Sequence, residues 1–453
     1  MFFKNPTALS QVLIVAFVCF TCPGLFNALG SIAAGINDET ISYNGSAILY
    51  AFFAVFGLFG GGVVNIIGPK WTLFIGTWGY VLYASSLLVM DKNFDKVEKV
   101  YTSGAKSYFY ATNAILGVCA GFLWTAQGQI CMAYPTSETK GKYFGMFWVI
   151  FNLGGTLGGF LAFGTNYNTT GNVASTATYI VFLVLMSCGA FLSLVLANPE
   201  NVIRNDGTAV KVERLPSPAS ELIETAKVFL DPKMLLLFPL FAYSNWFYNY
   251  HSFYNTALFN ARSASLAAAF YWAAQMLGAY TVGIFLDRPG AKKTKALKSI
   301  LVIGVLIMVM WASALWMQID FEFGLAAKKK GIDFKEGRYW LKALLYMFWG
   351  FNDAIVQVWS YWLMGQYSDD LGTLGRYAGY YKCVQSGMAA VSWRLGGIPI
   401  SANASLAINW GLSFVALICA FISVRTYLED APEGYKSVET PNAEKTDGLM
   451  MAH

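Results

Sequence analysis

Twelve apolar stretches of about 20 residues, parted by short polar or glycine- and proline-marked breaks, run the length of this 453-residue sequence, and each is long enough to cross the ~30 Å hydrocarbon core of a bilayer as a helix. Lipid offers a backbone no hydrogen-bond partner, so each stretch must satisfy its own N–H and C=O groups, which a helix does. The stretches lie at roughly 9–34, 45–67, 71–90, 108–132, 143–165, 174–198, 234–258, 264–286, 297–319, 340–364, 377–399 and 405–427. Only 13% of the residues are charged, about half the share of a soluble chain, and nearly all of them sit in the breaks. A soluble surface is thereby excluded. The formal net charge of +5 is a matter of membrane topology and not a sign of a nucleic-acid partner.

The predicted fold class is all-α integral membrane, with twelve transmembrane helices in two six-helix halves, 1–198 and 233–428. A charged cytoplasmic linker, 199–232, joins them, and its Leu215-Pro216-Ser217-Pro218 breaks any continuous helix. The polar tail, 429–453, reads as disordered. Lys and Arg crowd the side that holds the N-terminus, the linker and the segment after span 8, which predicts that both termini are cytoplasmic. The sequons at Asn44, Asn168 and Asn403 then fall outside, as in a glycoprotein. The seven cysteines lie inside apolar stretches and act as small hydrophobes. No phosphate-binding loop, metal cluster or nucleophile motif is present in the sequence, so neither an enzyme, a cofactor nor ATP-driven pumping is expected.

The halves echo each other. After span 2 the chain reads Gly61-Gly-Val-Val-Asn65-Ile-Ile-Gly68-Pro-Lys70, and after span 8 Gly283-Ile-Phe-Leu-Asp287-Arg288-Pro-Gly290-Ala-Lys292-Lys293. Lys142-Tyr143-Phe-Gly145 at the start of span 5 matches Arg376-Tyr377-Ala-Gly379 at the start of span 11. Both repeats recur about half a chain apart, as a duplicated six-helix unit predicts. The loop with Asp287 and Arg288 resembles the signature loop of the major facilitator superfamily. Gly24-Leu-Phe-Asn27-Ala-Leu, the weak Gly-Pro-Lys70 form of the first loop and Gln127-Gly-Gln129 are similar to its uncoordinated-type, ion-channel regulatory protein-like branch, in a fungal-like member. The resemblance implies two pseudo-symmetric halves that rock around a midplane site lined by helices 1, 4, 7 and 10, with the signature loops latching the cytoplasmic gate. In that gate Asp287 meets the N-terminus of a facing helix, Arg288 pairs with an acid such as Glu138, and Asn65 and Ile66 stand where the first loop should carry charge.

The expected cavity helices carry polar side chains, whereas spans 3, 6, 9 and 12 are nearly all apolar. Asp353 is the one mid-span carboxylate, on a face with Trp349, Gln357 and Ser360. Taking a carboxylate from water disfavours its charged form, which makes Asp353 the best candidate for proton coupling; a structural helix-to-helix partner is the other reading. Lys382 either reaches toward Asp353 as a second coupling residue or snorkels to the interface. Asn245, Asn249, Ser252 and Thr256 form a stripe on span 7, open to a substrate role or an interhelical network. Asn27 beside the Pro23-Gly24 break, and Trp124 with Gln127, complete the candidate cavity. The glycines at 57, 61, 154, 155, 158 and 159 suit close helix approach, sliding or static. The sequence therefore predicts a secondary transporter of a small solute, proton-coupled through Asp353. Its alternative is a non-transporting membrane regulator or trafficking partner of a channel or receptor.

Overall fold

The computed structural model describes residues 6–32, 39–95, 97–98, 100–167, 176–212, 215, 217–320, 331–396, 398 and 400–430. Asn168 and nearly all of the tail lie outside them. Helix 1 runs Ala8–Cys19, through a π turn at Phe20–Gly24, into Leu25–Ile32. Helices 2 to 6 are Glu39–Ile67, Pro69–Lys92, Ser103–Ala133, Lys140–Asn166 and Thr176–Ser193. A linker helix, Pro218–Lys227, starts at the proline after its Ser217 cap. Helix 7 is split into Pro232–Trp246 and Tyr248–Leu258, and helices 8 to 12 are Ala261–Leu286, Lys292–Asp320, Gly337–Tyr367, Leu371–Gly396 and Ala402–Tyr427. The twelve form the two-half bundle of the major facilitator fold.

Eight of these helices are long and apolar enough to cross a membrane by composition. Helix 9 shows why both of its faces are apolar: Ile300, Ile303, Ile307 and Trp311 are buried in the bundle, while Leu301, Val302, Val305 and Val309 stand exposed where only lipid can cover them. Among the described residues helix 6 contributes only the shorter apolar stretch Tyr179–Ser193, helix 7 is split into two short pieces, and helices 10 and 11 carry polar and aromatic side chains into the bundle interior, so these four fall outside the eight.

Pro23 removes one backbone donor from helix 1, and the π turn absorbs the break. Gly24 there lies against helix 5, where a Cβ would stand 2.8 Å from the Phe151 carbonyl. The helix 5 glycines divide their work: Gly154 and Gly158 meet Gly24 and Ala28 of helix 1, while Gly155 and Gly159 meet Trp272 and Ala269 of helix 8, in the other half. Gly57 and Gly61 of helix 2 pack on helix 11 at Lys382 and Gly375. Gly154→Leu should lower the thermal midpoint of the purified protein, costing about 1–3 kcal/mol through overpacking of helices 1 and 5. An unchanged midpoint would contradict that packing. Gly68 and Gly290, each three residues after the corresponding Asn65 and Asp287, both hold positive φ (82° and 128°), so the duplicated loops share a backbone turn that favours glycine.

Candidate functional site

Asp353 stands midway along the 31-residue helix 10 and is 1% exposed. Four side chains donate to it. Oδ2 accepts from Tyr248 Oη (2.7 Å), Gln275 Nε2 (3.0 Å) and Tyr271 Oη (3.1 Å), and Oδ1 from Gln357 Nε2 (2.7 Å). Helix 7 brings Tyr248 in from its break, helix 8 brings Tyr271 and Gln275 from successive turns, and Gln357 reaches back one turn along helix 10. A buried carboxylate is tolerated when its lone pairs are filled in this way.

From Gln357 a chain of amides runs to helix 11. Gln385 Nε2 lies 3.2 Å from Gln357 Oε1 and 2.9 Å from Ser244 Oγ, and Lys382 Nζ donates to Gln385 Oε1 at 2.7 Å. Lys382 is 3% exposed. Its ammonium lies 4.8, 4.9 and 5.4 Å from the ring centroids of Trp124, Tyr381 and Tyr361, a box of π faces that offsets part of its lost hydration. Trp124 is fixed in turn by Nε1 to Tyr80 Oη at 3.1 Å. Asp353 and Lys382 are thus joined through two glutamines, with no ion pair between them among the described residues.

Of the other cavity candidates, Gln127 is fully buried, one turn from Trp124, and its amide finds no oxygen or nitrogen partner among the described residues, only the Cys131 thiol one turn on. Asn249 turns away from Asp353 and donates to the Ser392 carbonyl at 2.8 Å, lining a cleft of about 130 Å³ with Trp246, Tyr250 and Gly396. Asn245 is buried, but its neighbour Ser244 holds the place in the amide chain. Ser252 accepts from Thr256 through its backbone carbonyl only, and Asn27 lies half-buried past the π turn of helix 1. His251 stacks on Trp349 (centroids 4.5 Å apart, planes 3° apart) with Nδ1 3.2 Å from Tyr271 Oη. Of the sequons, Asn44 lies within helix 2 and Asn403 in the first turn of helix 12, where its amide oxygen accepts from Gln318.

At the end of the bundle that carries the linker, the halves are pinned together. Asp287, just beyond helix 8, accepts from the backbone N–H of Gly141 (2.8 Å) and Lys142 (2.6 Å). It therefore caps the first turn of helix 5 from the opposite half, where Thr139 provides no side-chain cap. Arg288 makes no ion pair with Glu138 or any acid among the described residues. It is exposed, with its guanidinium over the Phe285 ring at 5.8 Å. Lys140, 1% exposed, donates to the Gly365 carbonyl and lies 3.4 Å from Asp369, again across the halves. Asn65 donates to the Gly372 carbonyl at 3.1 Å and accepts from Gln129 at 2.7 Å. The carboxylate missing from position 65 comes from the linker helix: Glu221 accepts from Asn65 and from Arg376 of helix 11, each at 3.1 Å, and the Glu221–Arg376 pair is largely buried.

Burial pushes the Asp287 carboxyl up to about 6, against the opposing pull of the two N–H donors, Lys295 and Lys142. Were the two halves to part here, the carboxyl would meet water and return toward the ordinary value near 4. Between those limits the joined arrangement binds more protons than a parted one would, so acidification through the window favours the joined arrangement. The joined population, read from the distance between spin labels on helices 5 and 8, should grow as pH falls from about 6 to 4, and Asp287→Asn should remove the pH dependence. A pH-independent wild-type distance distribution would contradict the assignment.

A family model described as "Ion channel regulatory protein UNC-93" matches residues 34–373. UNC93-like protein 1 of Arabidopsis thaliana is 36% identical over 94% of this chain and 92% of its own length. An UNC93-like protein of Schizosaccharomyces pombe is 35% identical over 96% of this chain and 86% of its own. Among solved structures, the major facilitator superfamily transporter FucP in its outward conformation superposes with a TM-score of 0.62 at 12% identity, covering 93% of this chain and 98% of that one. The proton:xylose symporter XylE superposes at 0.57 with 13% identity, over 92% and 94%.

Proposed function

This chain belongs to the UNC-93 family and carries the major facilitator fold in a multi-pass membrane protein, and on that premise we propose that it is a secondary transporter of a small solute, coupled to protons through Asp353. The observation that carries this reading is the buried carboxylate held by four donors at the middle of the bundle and linked by glutamines to a buried lysine. Ionisable groups in mid-membrane are rare and mark proton or substrate pathways by default, which supports this reading. In this reading the linker face is cytoplasmic, from the bias in Lys and Arg. Asp287, Asn65 and Glu221 hold the gate shut there, and the halves rock as these contacts exchange. Trp124, Gln127, Asp353, Gln357 and Lys382 meet the solute.

A second reading draws on the family's description as an ion channel regulatory protein: a non-transporting partner of a channel or receptor in the membrane. The two separate on purified protein alone in liposomes. A transporter moves at least one solute of a broad metabolite panel under an imposed proton gradient with no other protein present. A panel that stays outside, from protein shown to be folded and inserted, would contradict transport and leave the regulator.

A further inference from the structure

Lys382 has three N–H donors and one hydrogen-bond acceptor, Gln385 Oε1. Among the described residues no second acceptor meets its ammonium, which otherwise faces the rings of Trp124, Tyr381 and Tyr361. The Tyr361 hydroxyl is fully buried and without a partner among the described residues, and the Gln127 amide, also fully buried, meets only the Cys131 thiol one turn on. Tyr361 contributes one wall of the aromatic box, its ring packs where Gly128 leaves room, and Gln127 precedes that glycine on helix 4. Burying unpaired donors beside a cation is unfavourable unless an acceptor visits. Asp353, by contrast, has its acceptor sites filled by four donors and offers no place to a cationic solute.

We propose that the solute is a small organic anion, whose carboxylate displaces Gln385 Oε1 from Lys382 and also accepts from Gln127 and Tyr361, and that one proton on Asp353 travels with it. This rests on the transport reading above and adds the solute's charge class. Charge balance supports it. The empty cluster holds one carboxylate and one ammonium. In the loaded cluster a proton from the aqueous phase adds to an Asp353 carboxylate oxygen while the bound anion faces Lys382, so the sum is again neutral and no unbalanced charge crosses the membrane interior. On release, the proton returns to water on the other side and no redox change occurs. The other titratable groups facing the pair are the hydroxyls of Tyr50, Tyr243, Tyr248, Tyr271, Tyr361 and Tyr381, with Cys19 beside Lys382 and His251 behind Tyr271.

Calorimetric titration of the purified full chain with benzoate, benzamide and benzamidinium separates charge from shape. Benzoate should bind at least about tenfold more tightly than benzamide, with benzamidinium weakest, because only the anion pairs with Lys382. Lys382→Gln should erase the preference, bringing benzoate affinity down to that of benzamide. Tyr361→Phe, which keeps the ring wall, should weaken benzoate alone, so a folding failure of the lysine variant does not stop the test. Benzoate affinity should rise with acidification in the wild type and not in Asp353→Asn. Equal affinities, no binding by any of the three, or a preference that survives both variants overturns the anion site. Neutral or cationic solute flux without benzoate preference overturns this inference and keeps transport. Lysine-dependent benzoate binding without flux keeps the site and removes transport.

Discussion

Asp353→Asn abolishes proton-driven accumulation, with the variant still folded and inserted. The substitution is nearly isosteric, but its amide retains one acceptor oxygen in place of two. Some of the four donors at 2.7–3.1 Å therefore face an N–H, and each buried donor left unpaired costs about 1–3 kcal/mol. It also leaves Lys382 as a buried ammonium without the carboxylate that faces it through Gln357 and Gln385, at a cost below the ~3–5 kcal/mol of breaking a direct buried pair. The thermal midpoint should fall in Asp353→Asn and in Lys382→Gln. The double variant, which removes both charges, should be more stable than either single one, with a coupling of about 0.5–3 kcal/mol. Strict additivity in a double-mutant cycle would show that the two charges do not sense each other through Gln357 and Gln385.

Glu221→Ala opens the linker face. Arg376 would keep its largely buried position with no carboxylate to meet, and Asn65 would lose one of its two acceptors and keep the Gly372 carbonyl, so the closed arrangement weakens by up to about 3 kcal/mol, with rearrangement of the arginine toward water reducing the effect. Cross-half distances from paired spin labels on helices 2 and 11 should shift toward the separated population. Asn65→Asp, which restores an acid to the first loop, should weaken the gate as well, because two carboxylates would then crowd the same arginine. Combined with Glu221→Gln, it should restore closure. If Asn65→Asp alone tightens the gate, the linker helix is not the source of the missing charge.

The helices were legible because hydrophobic length is a local property, and the break at Pro23 because proline removes a donor wherever it stands. Asp353, Gln357, Lys382 and Trp124 could be picked out as polar or aromatic groups at the centre of spans. What escaped was partner choice across long sequence separations. Gln275 and Gln385 are mid-span amides whose signal was present, but they lie on helices 8 and 11, outside the four expected to line a cavity. Tyr248 was submerged in the aromatic run of helix 7, and the split after Trp246 turns it toward Asp353 while Asn249 faces Ser392. Glu221 is one acid among many in a charged linker, and only the packing of that short helix against helices 2 and 11 marks it. Arg288 found water rather than Glu138 because it stands on an exposed turn.

Proton movement driven by the solute is the most direct test of coupling at Asp353. Proteoliposomes loaded with a pH-sensitive dye, at zero initial pH difference, should acidify when the transported solute is added outside, and the Asp353→Asn vesicles should not. Solute entry with no lumenal acidification in the wild type, or equal acidification in both, would contradict it.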